Sequence, residues 1–260
     1  DQAGFEKCDA SQLVASVLAV KDETELANVR KASEITNKVF NKYLKDQIIN
    51  IIDGEKKVKH TKLSEGVEQA IKDAKYVPAN EQDLVEVCYP AIIQSGGQFN
   101  LKFSAASDKN NLHYGTIVCA LGVRYKSYCA NIVRTFMVDP TEKMQENYKY
   151  LLGLEEELIG LMREGAKVNE CYEKIRSKCA EERPDLVEKL TPNFGFIIGI
   201  EFREPAFLIT NKCTAELKAG MTFQVSIGLS DLLNPEGKGD ENKKYALFIG
   251  DTVQINKENE

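Results

Sequence analysis

Hydrolytic, redox and metal chemistry each demand particular side chains at particular spacings, and this chain of 260 residues supplies few of them. Its two histidines, His60 and His113, are too few for an HExxH zinc protease, a three-histidine zinc site or a histidine-rich metal centre. Seven cysteines, Cys8, Cys88, Cys119, Cys129, Cys171, Cys179 and Cys213, include no CxxC pair. An odd count without zinc-type spacing reads as reduced, mostly buried thiols. No GxxxxGK[ST] loop, no GxGxxG after a strand-like run and no GxSxG elbow occurs, so nucleotide hydrolysis, dinucleotide redox and α/β-hydrolase chemistry lack support. The basic run Lys56 to Lys59 reads as a solvated turn, with a phosphate site as the alternative. A net charge of −6 disfavours broad phosphate binding and suits a basic protein partner.

The elements that would position any site follow from the periodicity. Asp22 and Glu25 form a capping box ahead of a long amphipathic helix carrying Leu26, Val29, Ala32, Ile35, Val39, Phe40 and Tyr43 and running on to Ile52. A second helix is expected from Ser64 to Lys75. Thr116 to Tyr125 and Tyr128 to Val138 are rich in β-branched and aromatic residues and are separated only by Lys126 and Ser127, which predicts a hairpin. Thr141 caps a third helix and Val168 to Cys179 makes a fourth. Strands are then expected at Gly195 to Phe202, Phe207 to Thr210, Met221 to Leu229, Tyr245 to Ile249 and Thr252 to Ile255. The loop Asn234 to Lys244 is expected to be a mobile surface excursion. Helices, strands, helices, strands is the order of an α+β domain with antiparallel sheet packed on helices. No run approaches the roughly 20 apolar residues of a membrane helix, and DQAGFEKCDA lacks the features of a secretory signal.

The run SYCANIVRTFMVD, Ser127 to Asp139, resembles the methionine aminopeptidase and prolidase superfamily. So do the long first helix, the Leu112–His113–Tyr114 motif, GFIIGIEFREP from Gly195 to Pro205, LKAGMTFQVSIG and FIGDTV. The resemblance implies a pita-bread (creatinase/methionine aminopeptidase-like) α+β fold over residues 20–256, with 1–19 leading from a missing amino-terminal lobe and 257–260 a tail. Members of that superfamily hold two divalent metals with two aspartates, a histidine and two glutamates. Those positions fall here on Ala120, Asn131, Phe196, Ser226 and Gly250. Alanine, phenylalanine and glycine offer no side-chain ligand, and Asn131 and Ser226 offer neutral oxygens where hard divalent metals want carboxylates. The resemblance therefore implies no metal, no cofactor and no catalytic residue: a peptidase frame that no longer cuts.

Three segments, CYPAIIQSGGQFNLKFSAASDKNNLHYG, IGIEFRE and YALFIGDTV, further resemble the aminopeptidase-like domain of the large-subunit family of the histone chaperone FACT. That resemblance implies a nuclear, chromatin-associated protein of transcription, replication and repair. It implies histones H3–H4 or their tails as partners, and an HMG-box subunit bound through regions outside this chain. It implies no membrane and no sequence-specific nucleic acid. A docking scaffold is the alternative, and an active peptidase ranks last. Candidate peptide-binding residues are His113, Glu201, Arg203 and Glu204. His113 is either a peptide contact or a satisfied core histidine. Arg203 with Glu201 and Glu204 either faces a peptide or forms a local ion pair. Asn131 either bonds a ligand amide or is a satisfied polar group, and Arg134 to Phe136 is assigned to the fold.

Overall fold

The computed structural model of the chain describes residues 9–204 and 206–257. Cys8, Pro205, most of the expected tail and the first eight residues of the expected lead-in lie outside the described residues. The lead-in itself contains a helix, α1 (Ser11–Ala19). Asp22 caps α2 (Glu23–Val39) as its sequence requires: its side chain accepts from Glu25 N, and Glu25 reaches back to Asp22 N. The expected unbroken helix instead widens into a π-turn at Phe40–Leu44 before resuming as α3 (Lys45–Asp53). Phe40, Leu44 and Ile48 are all buried, continuing through the π-turn the apolar face of α2. The next helix, α4 (His60–Ala70), starts four residues earlier than Ser64, because the buried side chain of His60 anchors its first turn.

Two short strands, β1 (Val85–Val87) and β2 (Ile92–Ser95), precede the long hairpin β3 (Thr116–Tyr125) and β4 (Tyr128–Met137). Lys126 and Ser127 close it with φ of 46° and 74°, the left-handed pair that a two-residue hairpin turn needs. Helices α5 (Glu142–Leu161) and α6 (Val168–Glu182) follow, then β5 (Gly195–Ile197), β6 (Thr222–Leu233), α7 (Asp240–Lys243) and β7 (Lys244–Gln254). The two expected final strands are one, β7. The expected strand at Phe207 to Thr210 is only a bridge between Phe196 and Leu208. The Asn234 to Lys244 loop is tied down, with Asn234 N bonded to Lys243 O and α7 inside it.

All seven strands form a single antiparallel sheet ordered β1-β3-β4-β7-β6-β5, with β2 also paired to β3. One face meets α2 and α4 through Ile117, Cys119, Leu121, Ala130 and Ile132, and meets α5 and α6 through Phe223, Val225, Ile227, Leu247 and Ile249. Because side chains alternate along a strand, the residues between these point to the other face. There Val118, Ala120, Val133 and Phe248 pack under Tyr89, Phe99, Leu101 and Phe103. The helices thus fix the face on which any chemistry could stand.

Candidate functional site

The five positions singled out in the sequence converge on that second face. Ala120 pairs with Val133, Val133 with Gly250 and Gly250 with Ser226, one row across β3, β4, β7 and β6. In the next row Asn131 pairs with Gly122 and bonds to Thr252, Thr252 pairs with Gln224, and Gln224 with Phe196. Register alone therefore gathers residues more than a hundred positions apart. The backbone N–H of Asn131 donates to Thr252 Oγ1 at 2.8 Å, and that hydroxyl donates back to Asn131 O at 3.1 Å.

The donor set does not fit a pair of divalent metals. It contains one amide oxygen and one hydroxyl, with no carboxylate or imidazole at the five positions, and the amide oxygen of Asn131 already accepts from the Tyr89 hydroxyl. Burial raises the Tyr89 phenol well above its ordinary pKa, which keeps it a neutral donor. Among the described residues no group of three His, Cys, Asp or Glu side chains is placed to hold a metal. A side chain at Gly250 would find its Cβ 2.7 Å from Gln224 Nε2, 2.7 Å from Val225 O and 2.8 Å from Ser226 Cβ. The fully buried Gln224 takes that space and donates to Val225 O.

Phe196 lies under an aromatic lid. Its ring centroid is 5.4 Å from Phe103 and 5.5 Å from Phe202, both edge-on, while Phe103 also meets Phe248 at 5.6 Å and Tyr89 leans on Phe202 at 4.6 Å. Such edge-to-face packing holds Phe196 in place, and it is 2 % exposed. Beside the lid a cavity of about 300 Å³ remains, lined by Phe196, Ser226, Arg203, Lys102, Asn193 and others. The Arg203 guanidinium stands 5.6 Å over the Phe196 ring.

The candidate peptide contacts do not share that cavity. Arg203 lines it, whereas His113, Glu201 and Glu204 do not. His113 is half-buried near Asn242: a Cβ on Gly115 would lie 3.3 Å from His113 Nδ1 and 2.6 Å from Asn242 Oδ1. Glu204 is buried against Lys21, 4.0 Å away, and of the two alternatives for Arg203 the local ion pair is not formed among the described residues: its guanidinium stands over Phe196. Arg134 buttresses the strands: it clamps Asp251 at 2.8 and 3.0 Å and donates to Gly250 O at 2.9 Å.

Sequence reasoning missed Tyr89, Phe103, Phe202 and Gln224, which sit on loops or read as ordinary strand residues and carry no spacing signal. It also missed a buried relay. His60 Nδ1 lies 2.6 Å from Asp108 Oδ1, its Nε2 lies 2.7 Å from Ser95 Oγ, and Ser95 Oγ accepts from His113 N at 2.8 Å. With His60 1 % exposed and Ser95 Oγ already engaged twice, this trio braces α4 to β2 and to the 96–113 segment rather than presenting a nucleophile.

A family model for metallopeptidase family M24 matches residues 27–257. The chain is 39% identical over 261 residues to FACT complex subunit SPT16 of Yarrowia lipolytica, covering 97% of this chain and 26% of that protein. It therefore spans about a quarter of the length of that relative. The N-terminal domain of FACT complex subunit SPT16 from Cicer arietinum superimposes with a TM-score of 0.94 at 36% identity, over 98% of this chain and 61% of that one. X-Pro aminopeptidase from Thermotoga maritima superimposes at 0.75 with 19% identity, over 94% of this chain and 62% of that one, a likeness of fold. The sheet, its helical layers and these superpositions make the architecture the pita-bread α+β fold expected from the sequence, and the chain belongs to metallopeptidase family M24.

Proposed function

We propose that this chain is a non-catalytic, protein-binding domain of a FACT-type histone chaperone, engaging histones H3–H4 or their tails in the nucleus. The observation that carries the reading is the filled ligand face: Ala120, Phe196 and Gly250 supply no donor, and Gln224 and the Phe103 lid occupy the space around them. Paired metals that activate water and clamp a tetrahedral intermediate have no carboxylates to hold them there. The likeness to proteins named FACT complex subunit SPT16 supports the chromatin setting. An HMG-box subunit would join through regions outside this chain.

The remaining cavity would accept an extended peptide without cutting it. Among the described residues Arg203 and Lys102 are the only charged groups in its lining, so it suits a carboxylate or acidic side chain. His113 lies outside that lining, which narrows the cleft reading to Arg203. A basic histone tail would then use another surface.

Titration with H3–H4 and with an unrelated basic protein of similar charge tests the function. The expected outcome is tighter binding of H3–H4 that weakens as salt screens exposed charges. Equal binding of both would leave a docking scaffold as the better description.

A further inference from the structure

A second concavity, of about 570 Å³, lies between α1 and the 199–204 segment. Its α1 wall is Ser11, Val14, Ala15 and Leu18, a spacing that puts all four on one helix face. Val14, Leu18 and, on the facing wall, Ile200 are 52 %, 48 % and 46 % exposed, large apolar surfaces left in water side by side.

The charged groups of this groove are unequal in what they still lack. Glu25 is satisfied, accepting from Tyr128 Oη at 2.7 Å and from Asp22 N at 2.7 Å. Lys21 donates to Ala19 O at 3.0 Å and stands 4.0 Å from one oxygen of Glu204. The other oxygen of Glu204, whose side chain is 9% exposed, is buried with no hydrogen-bond partner among the described residues. Gly199 permits this arrangement, because a Cβ there would lie 2.8 Å from both Glu204 Oε1 and Lys21 Cε. Glu201 is exposed and forms no ion pair among the described residues. The groove therefore combines apolar walls with one buried carboxylate oxygen short of a donor, one exposed carboxylate without an ion pair among the described residues, and one cation already engaged. A buried acceptor without a partner is costly, and a lysine or arginine is the donor that meets it with opposite charge.

We propose that this groove is the docking site for a basic segment of a partner protein, with a lysine or arginine reaching Glu201 and Glu204 and a neighbouring apolar side chain lying between Leu18 and Ile200. The assignment of a histone as that partner rests on the function proposed above; the groove's chemistry does not. An acidic segment would meet Glu201 and Glu204 with like charge. A second copy pairing through α1 would bring the same carboxylates together.

The test uses the 260-residue chain, a labelled peptide in which two arginines flank a leucine, the same peptide with glutamates for arginines, and intact H3–H4. The basic peptide is expected to bind and the acidic one not. Glu201→Gln and Ile200→Ser, both at exposed positions, are each expected to weaken the basic peptide about three- to tenfold, and Glu204→Gln more. Glu65→Gln, an exposed carboxylate outside the groove's lining, is expected to leave it unchanged. Melting temperatures identify any variant that fails to fold, and the two exposed substitutions keep the proposal testable if Glu204→Gln does. Unchanged affinity in Glu201→Gln and Ile200→Ser, equal binding of the acidic peptide, or dimerisation through α1 in sedimentation would overturn it. If those variants keep wild-type affinity for H3–H4, the histone reading survives without the groove. If the wild type binds the basic peptide through the groove and not H3–H4, the groove survives without the histone reading.

Discussion

Glu155 sits on α5, 4 % exposed, with one carboxylate oxygen lacking a hydrogen-bond partner among the described residues. Burial, with Asp251 nearby and only partly offset by Arg134, pushes its pKa up to about 8. The unfolded chain releases this proton near pH 4.5 while the folded chain keeps it, so the native state loses stability as pH rises from about 4.5 to about 8. Glu155→Gln is expected to leave stability unchanged near pH 4 and to raise it by a few kcal/mol, at most about 5, at pH 8.5. Urea denaturation at the two pH values measures this, and a gain equal at both would refute the electrostatic cause. At Gly250 the expected effect is steric. Gly250→Ala presses a methyl on Val225 O, which is backbone and cannot swing away, and should cost about 1–3 kcal/mol. A variant as stable as wild type in the same assay would mean that the sheet yields there. The type of residue at position 250 was legible in the sequence. The neighbours that make glycine necessary, Val225 O and Gln224, were not, because they come from another strand.

At the scale of elements, hydrogen bonds to side chains decided where helices begin. Asp22 and Glu25 are three apart, and that spacing announced the start of α2 because a capping box is local. The start of α4 depends on His60 meeting Asp108 and Ser95, 48 and 35 residues away, so periodicity placed it four residues late. Burial works against ionisation of Asp108, yet the hydrogen bonds from His60 and Asn110 hold its carboxyl below the usual range. His60→Ala removes both ring contacts and leaves a void, for an expected loss of about 2–4 kcal/mol. Hydrogen exchange locates the damage: the His113 amide, which donates to Ser95 Oγ, should lose protection before the β6–β7 ladder does. Uniform loss across the sheet would mean that the relay is not a local brace. The hairpin was foreseen because its turn is only two residues long, whereas β1 and β2 are three and four residues and too short to display alternation.

For the molecule as a whole, the non-catalytic reading proposed above predicts indifference to divalent metal. Mn²⁺ or Co²⁺ at millimolar concentration is expected to leave the melting temperature unchanged, since a ligand stabilises only a fold that binds it. Elemental analysis should find no stoichiometric metal, and peptide hydrolysis should stay at background. Metal-dependent turnover abolished by a chelator would overturn the non-catalytic reading. The order of helices and strands, the hairpin, the capped α2 and the residue types at Ala120, Asn131, Phe196, Ser226 and Gly250 were all legible in the sequence alone, since each is a matter of residue type or near-neighbour spacing. Only the tertiary structure decided that these five lie in two adjacent rows of one sheet face under an aromatic lid. It alone separated Arg203 from His113 and gave Glu204 to Lys21. The physical reason is that strand register and helix packing bring together groups far apart in the chain, and no local pattern of side chains records which distant partner each will meet.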